Sequence, residues 1–552
     1  MSQKALQIKT LSSLAKVFPE KIVGASHKSC RAFRGQEVSF QVAYRLTMPM
    51  RSLAEFNVSV DSSLGDAVRV YQVGIVPSMF PVYPAAADDG YYITRKPGLF
   101  PDPLIPMKSE KIKAIHNTWS ALWISVKVDG TVAAGSYPIR VSFANAEGEV
   151  VAKATYEIVV EAYTLPAQKL LFTQWFHCDC IADAHHVPVF SEAHWTLIEK
   201  YMKLAGEYGM NMILTPVVTP PLDTAVGGER PTVQLVAVEQ TAEGDYRYDC
   251  ALLSRYIRMA LNAGITNFEI SHFFTQWGAK FTPKVVAKVK GRTRRIFGWD
   301  TNADDPAYVK FLGGLVPEVI ACFAREGVSK DRLWFHVSDE PHQDHLEQYK
   351  KTQSILEPLI EGCHHIDALS SYDFYQEKLV EHPVVATDHI KAYLEHDVPE
   401  LWCYYCCGQG NKLSNRFMAM PSARTRIMGV QLYKFNIMGF LQWGYNFYYS
   451  QFSLGKIDPY ANTDAGCSYP SGDAFSVYPD GDGVAPSLRQ KVFSNGLEDL
   501  RLLNLLEEKI GRTAVLELLE RVAGMEITFE DYPHDDVFFT NLYDAVLCEL
   551  NK

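Results

Sequence analysis

The stretch RLWFHVSDEPHQDHLEQY, residues 332–349, decides the fold. An apolar run, Leu333 to Val337, ends in two adjacent carboxylates, Asp339 and Glu340. Pro341 and a helix-like segment follow. A short buried strand that breaks into polar residues and leads to a helix is the repeating half of a βα unit. Strand-like segments of this kind recur at 169–177, 210–218, 267–274, 332–340, 365–371, 383–389, 401–407 and 437–446. Helical patterns lie between or after them at 191–209, 249–264, 305–327, 344–360, 421–436 and 486–511. Eight short apolar strands alternating with helices predict a (β/α)8 barrel over residues 168–519. An open doubly wound sheet is the alternative, but the chain has no glycine-rich phosphate loop at its first strand.

Upstream, residues 1–167 carry short runs rich in Val, Ile, Tyr and Phe, such as EVSFQVAYRL (37–46) and ATYEIVVEAY (154–163). Gly, Asp, Asn and Pro separate them, which predicts a β-sandwich. Pro166 ends the last run and marks a hinge. Residues 520–552 are expected to form a short helical tail. Two long insertions, about 219–248 and 446–485, fall after the second and eighth barrel strands, at the face where barrel enzymes build their sites.

The bulk composition narrows the function. The 552 residues are 47% hydrophobic and 21% charged, ordinary for a globular chain, with a net charge of −11. That charge argues against nucleic acid, whose phosphates demand a basic surface. No polybasic run addresses anionic lipid, and no stretch reads as the ~18 continuous apolar residues of a membrane span. The N-terminus lacks a signal-peptide core, so the expectation is a cytoplasmic chain, or a secreted or periplasmic one if a leader has been removed. Eleven scattered cysteines are not a disulfide framework. Cys403, Cys406 and Cys407 have no second pair at zinc spacing. The pairs His185/His186 and His342/His345 lack a metal motif, so neither metal nor cofactor is expected.

In a barrel, the end of the fourth strand is a catalytic position, which gives Asp339 and Glu340 a use. Successive side chains on an extended segment point in different directions, so one acid can face the bond being cleaved and the other a neighbouring substituent. Their mutual repulsion is expected to raise one pKa, as suits a general acid. The structural alternative is a helix cap by Ser338 and Asp339, with Pro341 in the first turn. Ordinary glycosidases place two carboxylates about 5–5.5 Å or 6.5–9.5 Å apart, usually on different strands. An adjacent pair suits substrate-assisted hydrolysis instead, in which a 2-acetamido oxygen of the sugar is the nucleophile.

FHVSDEP (335–341), GFLQWGYN (439–446) and GDAFSVYPDGDGVAPSLRQKVFSNGLEDLRLL (472–503) together resemble glycoside hydrolase family 123. So do GLFPDPLIP (98–106) and the strand pair NTWSALWISVKVDGTVAAGSYPIRVSF (117–143) in the N-terminal region. Known members of that family are β-N-acetylgalactosaminidases. The resemblance implies Glu340 as acid/base and Asp339 as the residue that orients the acetamido group. The substrate implied is a glycan with a terminal N-acetylhexosamine. Alternatives are a glycosidase of the same fold acting on another amino sugar or a plain galactoside, and a non-catalytic carbohydrate-binding protein.

A substrate-assisted site needs aromatic walls around the acetamido group and the sugar face. Trp443 on the eighth strand and Tyr404 on the seventh are the first candidates, the Tyr404 hydroxyl as a donor to the acetamido oxygen. Tyr405 should point the other way. Trp175, His177, His272 and Tyr372 sit at or near other strand ends. Asn446, Asp473 and Tyr478 lie in the last insertion, where polar groups can meet sugar hydroxyls. The loop WCYYCCGQGNKLSN (402–415) is expected to shape the pocket.

Overall fold

The computed structural model describes residues 6–48 and 54–552. Residues 1–5 and 49–53, which fall inside the segment assigned to the sandwich, lie outside the described part.

The N-terminal region folds as two packed five-stranded sheets, one antiparallel and the other antiparallel except for its edge strand Ser29–Arg34, which runs parallel to Val150–Thr164. Gln36–Leu46 is central in one sheet, paired with Ser120–Val128 so that Phe40 lies opposite Ile124. Val150–Thr164 is central in the other, and its buried and exposed residues alternate over most of its length, as period-two patterning requires. Phe40 and Tyr156 stack across the two sheets with ring centroids 4.0 Å apart.

The second region is a barrel of eight parallel strands. In chain order they are Leu171–Gln174, Met212–Thr215, Asn267–Ile270, Leu333–Phe335, His364–Leu369, His382–Ala386, Trp402–Tyr404 and Gly439–Gln442. Each is shorter than its apolar run, because the residues beyond it bend into loops. The ladder runs unbroken from the second strand through the third to the eighth and on to the first. Asn211 stitches the remaining seam between first and second strands. Its backbone N–H donates to Phe172 O at 3.2 Å. Its side chain accepts from Phe172 N at 2.8 Å and donates to Leu170 O at 2.9 Å.

Large side chains fill the barrel interior, among them Trp334, Trp402, Met212, Leu214 and Ile366. Gly439 makes room for this filling: a Cβ there would sit 2.1 Å from the Trp402 ring. The helix Pro306–Arg325 is long and apolar enough to cross a membrane by length and composition, contrary to the expectation that no segment would be. Asp305 caps it and Pro306 opens it, and Tyr308, Phe311, Leu315 and Val319 are buried in the main core.

The insertion after the second strand forms a hairpin, Ala237–Gln240 with Tyr246–Asp249. It pairs with a second hairpin, Val285–Val289 with Arg292–Phe297, from an insertion after the third strand that the sequence reading passed over. The two make one four-stranded sheet beside the barrel.

The helix Leu488–Ile510 joins barrel to sandwich. Arg489 donates to both oxygens of Asp102 at 2.8 and 2.9 Å. Glu498 accepts from Glu37 N at 2.7 Å, and Arg501 donates to Pro166 O at 2.7 Å. The terminal helix Val537–Leu550 clamps the same joint: Asp544 pairs with Arg31 at 2.9 Å, and Tyr163 donates to Leu550 O at 2.6 Å. The helix Val537–Leu550, within the expected helical tail, thus packs across both regions.

Candidate active site

The barrel cleft opens at the C-terminal ends of the strands. It holds about 110 Å3 of space that a water-sized sphere can occupy. Asp339 and Glu340 line it, as do Trp175, His177, Tyr404 and Trp443.

The fourth strand stops at Phe335, so the two acids stand on a loop beyond the strand end. Their directions are set by the turn rather than by strand alternation. Glu340 has φ +44°, in the left-handed region that non-glycine residues enter at a cost, and Pro341 follows it. The turn parts the two side chains. Asp339 Oδ2 accepts from Gln276 Nε2 at 2.7 Å. Glu340 Oε1 accepts from the Tyr404 hydroxyl at 2.5 Å. Neither acid caps a helix. Ser338 Oγ donates to Thr275 O at 3.1 Å, and the next α-helix starts at Leu346. Burial, and then the neighbouring Glu340 charge, push the Asp339 carboxyl up to about 8.

Beneath the pair lies a buried ionic network. His336 contacts Glu269 at 2.7 Å and Asp367 at 3.0 Å, one with each ring nitrogen. Burial alone would lower the His336 pKa, but the bonds to Asp367 and Glu269 outweigh it and raise it to about 9. Burial opposes ionisation of Asp367, yet its bonds to His336 and His365 hold its carboxyl well below the usual range. Asp367 Oδ2 also accepts from the backbone N–H groups of Val337 at 3.1 Å and Ser338 at 3.2 Å. The network thus fixes the backbone that carries the acids. Glu269 further accepts from Trp175 Nε1 at 2.6 Å, which orients that ring in the cleft wall. His272 stacks on His336 at 4.1 Å below the cleft, and both its ring nitrogens lack partners. His272, His336 and Asp367 are close enough to suggest a metal cluster. However, both His336 nitrogens are engaged by carboxylates, which leaves that ring no free lone pair.

His177 lines the cleft with its ring fixed between Arg230 Nη2 and Trp443 O, each at 3.2 Å. Burial, and then the Arg230 charge, hold its pKa well below the ordinary value. Trp443 donates to Asp473 Oδ2 at 2.9 Å, so Asp473 sits behind the ring and supports it. Tyr405 points into the core against Phe440, opposite to Tyr404. Three other candidates stand away from the cleft. Tyr372 packs among Tyr393, Tyr375 and His396 in the outer helical layer. Asn446 latches the backbone of His177 at 2.9 and 3.0 Å. Tyr478 donates to Asp102 at 2.5 Å in the interdomain joint. Of the histidines considered for metal, His345 accepts at Nδ1 from His342 N at 3.2 Å, and His185 meets Gly481 O and Tyr201.

Sequence reasoning missed Gln276, Trp277, Asp223 and Tyr469, which also line the cleft. A signal for two of them was present. The dipeptide QW occurs at 174–175, 276–277 and 442–443; in the first and last the Gln ends a barrel strand, the second lies in the loop beyond the third strand, and all three tryptophans reach the cleft.

A sandwich joined to a barrel, with paired acids and aromatic walls at the barrel mouth, defines a glycoside hydrolase. The chain belongs to glycoside hydrolase family 123, whose catalytic-domain profile matches residues 175–506. Among curated proteins, none matches it. Among solved structures, it is similar to a family 123 glycoside hydrolase from Clostridium perfringens, described for its hydrolysis of glycolipid glycans. Identity is 14%, the TM-score is 0.74, and the match covers 99% of this chain and 98% of that one. A Parabacteroides merdae β-glucuronidase is a looser likeness, with 11% identity, a TM-score of 0.31, and coverage of 89% of this chain and 51% of that one.

Proposed function

We propose that the enzyme is a retaining exo-glycosidase that releases terminal β-linked N-acetylgalactosamine, with the substrate's own acetamido oxygen as nucleophile. The observation that carries this reading is the divergence of two adjacent acids, Asp339 onto an amide donor and Glu340 onto the Tyr404 hydroxyl. The acetamido N–H donates to Asp339, replacing or joining Gln276. The carbonyl oxygen attacks the anomeric carbon while Glu340 gives its proton to the departing glycosidic oxygen. Water then opens the oxazolinium at the same carbon and returns a proton to Glu340. Two inversions give net retention.

The raised Asp339 carboxyl suits this cycle. In the free enzyme the pair's proton rests on the more buried acid, Asp339. A bound N–H donor favours the Asp339 anion, so the proton moves by way of solvent to Glu340, where the leaving group needs it. Substrate binding thereby arms the acid.

The test is hydrolysis of 4-nitrophenyl β-N-acetylgalactosaminide, β-N-acetylglucosaminide and β-galactoside, with and without a thiazoline analogue of the oxazoline. Cleavage of the first, blocked by thiazoline, is expected. Cleavage of the galactoside with no thiazoline inhibition would overturn the acetamido route.

A further inference from the structure

Among the described residues, Asp223 is the one carboxylate lining the cleft outside the Asp339–Glu340 pair, and the mechanism above gives it no part. It belongs to the insertion after the second barrel strand. Its Oδ1 accepts from Phe452 N at 3.2 Å and from the Tyr469 hydroxyl at 3.1 Å. Its Oδ2 is buried and meets no donor, although the residue is only 7% exposed. A buried carboxylate oxygen without a donor is costly, and native proteins retain such groups where a ligand completes them. Burial accordingly raises the Asp223 pKa, against the three groups that oppose it: Phe452 N–H, the Tyr469 hydroxyl and Arg230.

Its placement is tied to the catalytic pair. One side chain, Gln276, accepts from Asp223 N and donates to Asp339 Oδ2. One amide group thus links the Asp223 backbone to the Asp339 carboxylate, and both residues line the same cleft. With the C2 substituent of a sugar on Asp339, the neighbouring C3–C4 edge is the part of the ring that can reach the Gln276 and Asp223 side of the cleft. We propose that Asp223 is a specificity-determining residue whose free oxygen accepts a hydrogen bond from the C3 or C4 hydroxyl of the bound sugar. This deepens the reading above and rests on it for the orientation of the ring. Tyr469, on the insertion after the eighth strand, and Phe452 hold the carboxylate in place, so both long insertions act on one recognition point.

The experiment uses the full chain and whichever aryl glycoside the wild type cleaves, so the wild-type panel decides the acetamido reading separately. Asp223→Asn keeps a carbonyl for Phe452 N–H and Tyr469 O–H and alters only the free oxygen. KM is expected to rise about 10- to 100-fold through loss of a charge-assisted bond, with kcat within a few-fold. The wild type is expected to lose a similar factor on the 3-deoxy or the 4-deoxy substrate. Asp223→Asn should lose nothing further on that same compound. Tyr469→Phe, which leaves the free oxygen, should keep the wild-type deoxy dependence. An unchanged KM, or undiminished deoxy penalties in Asp223→Asn, would overturn the proposal. So would a loss of kcat beyond about 1,000-fold with rescue by azide, because that is the behaviour of a nucleophile.

Discussion

Two buried aspartates teach different lessons. Asp102, in the joint between sandwich and barrel, is met by both arms of Arg489 and by the Tyr478 hydroxyl. Asp339, in the cleft, is met by one neutral amide and stands beside a second acid. The first charge is answered within the protein and holds two domains together. The second is left partly unanswered, and what it lacks is what a substrate can bring. Burial alone does not mark a functional acid; the identity of the groups that face it does.

The largest expected effect comes from Glu340→Gln. Losing the proton donor should lower kcat/KM by about 100- to 10,000-fold on a glycoside with a poor leaving group. An activated aryl leaving group should suffer less, because its departure needs less protonation. Near-wild-type turnover of the poor leaving group would remove Glu340 from the acid role. The counterpart is Arg489→Met, which strands Asp102 without its cation. Denaturant unfolding should then show a loss of about 3–5 kcal/mol, while the activity of the remaining folded enzyme changes much less. Equal damage to catalysis and stability in both variants would erase the contrast between the two sites.

Much of this was legible before any coordinates. The eight barrel strands follow from apolar runs at regular spacing, and the position of Asp339 and Glu340 at the cleft from their place after the fourth run. Tyr404 and Tyr405 were separable because strand alternation sends only one of them inward. What stayed hidden depends on contacts distant in sequence. Tyr478 and Asn446 read as polar loop residues, and only the fold reveals that they face Asp102 and the His177 backbone. Tyr372 follows a strand but turns out into the helical layer, where the helices after the fifth and sixth strands are only the short Asp373–Gln376 and Lys391–Glu395. Gln276 and Trp277 were missed because their insertion carries strand-forming residues that resemble neither a barrel strand nor its helix. The left-handed turn at Glu340 has no glycine to announce it; a residue before proline at φ +44° is held there by the surrounding loop, not by its own preference.

A smaller effect separates function from stability within one residue. Asp339→Asn should cut turnover of N-acetyl substrates by about 100-fold or more, whatever the leaving group. The same change should stabilise the fold near neutral pH. The Asp339 carboxyl is raised from its ordinary value of 3.8 to about 8. The folded protein therefore holds a proton that the unfolded chain has already released. Its contribution is fully present below about 3.8 and is lost as pH rises through about 8. Wild-type stability should fall across that window, and Asp339→Asn should flatten the slope. A variant that is inactive and also destabilised at pH 8 would mean that Asp339 serves the fold in the way Asp102 does.

The mildest effect is a position on a pH axis. kcat/KM reports the free enzyme, in which the acid pair keeps one proton until about pH 8. Activity should therefore hold below that value and decline about tenfold per unit above it, because the pair then has no proton to give. Asp339→Asn removes the carboxyl that is raised to about 8, so the limb at that pH should be lost from the residual activity of that variant. Arg489→Met should leave the limb in place, since Asp102 is not a member of the pair. An alkaline limb that stays near pH 8 in Asp339→Asn would mean that another group in the cleft holds the proton. His177 would not supply it, because burial and Arg230 keep its ring neutral throughout this range.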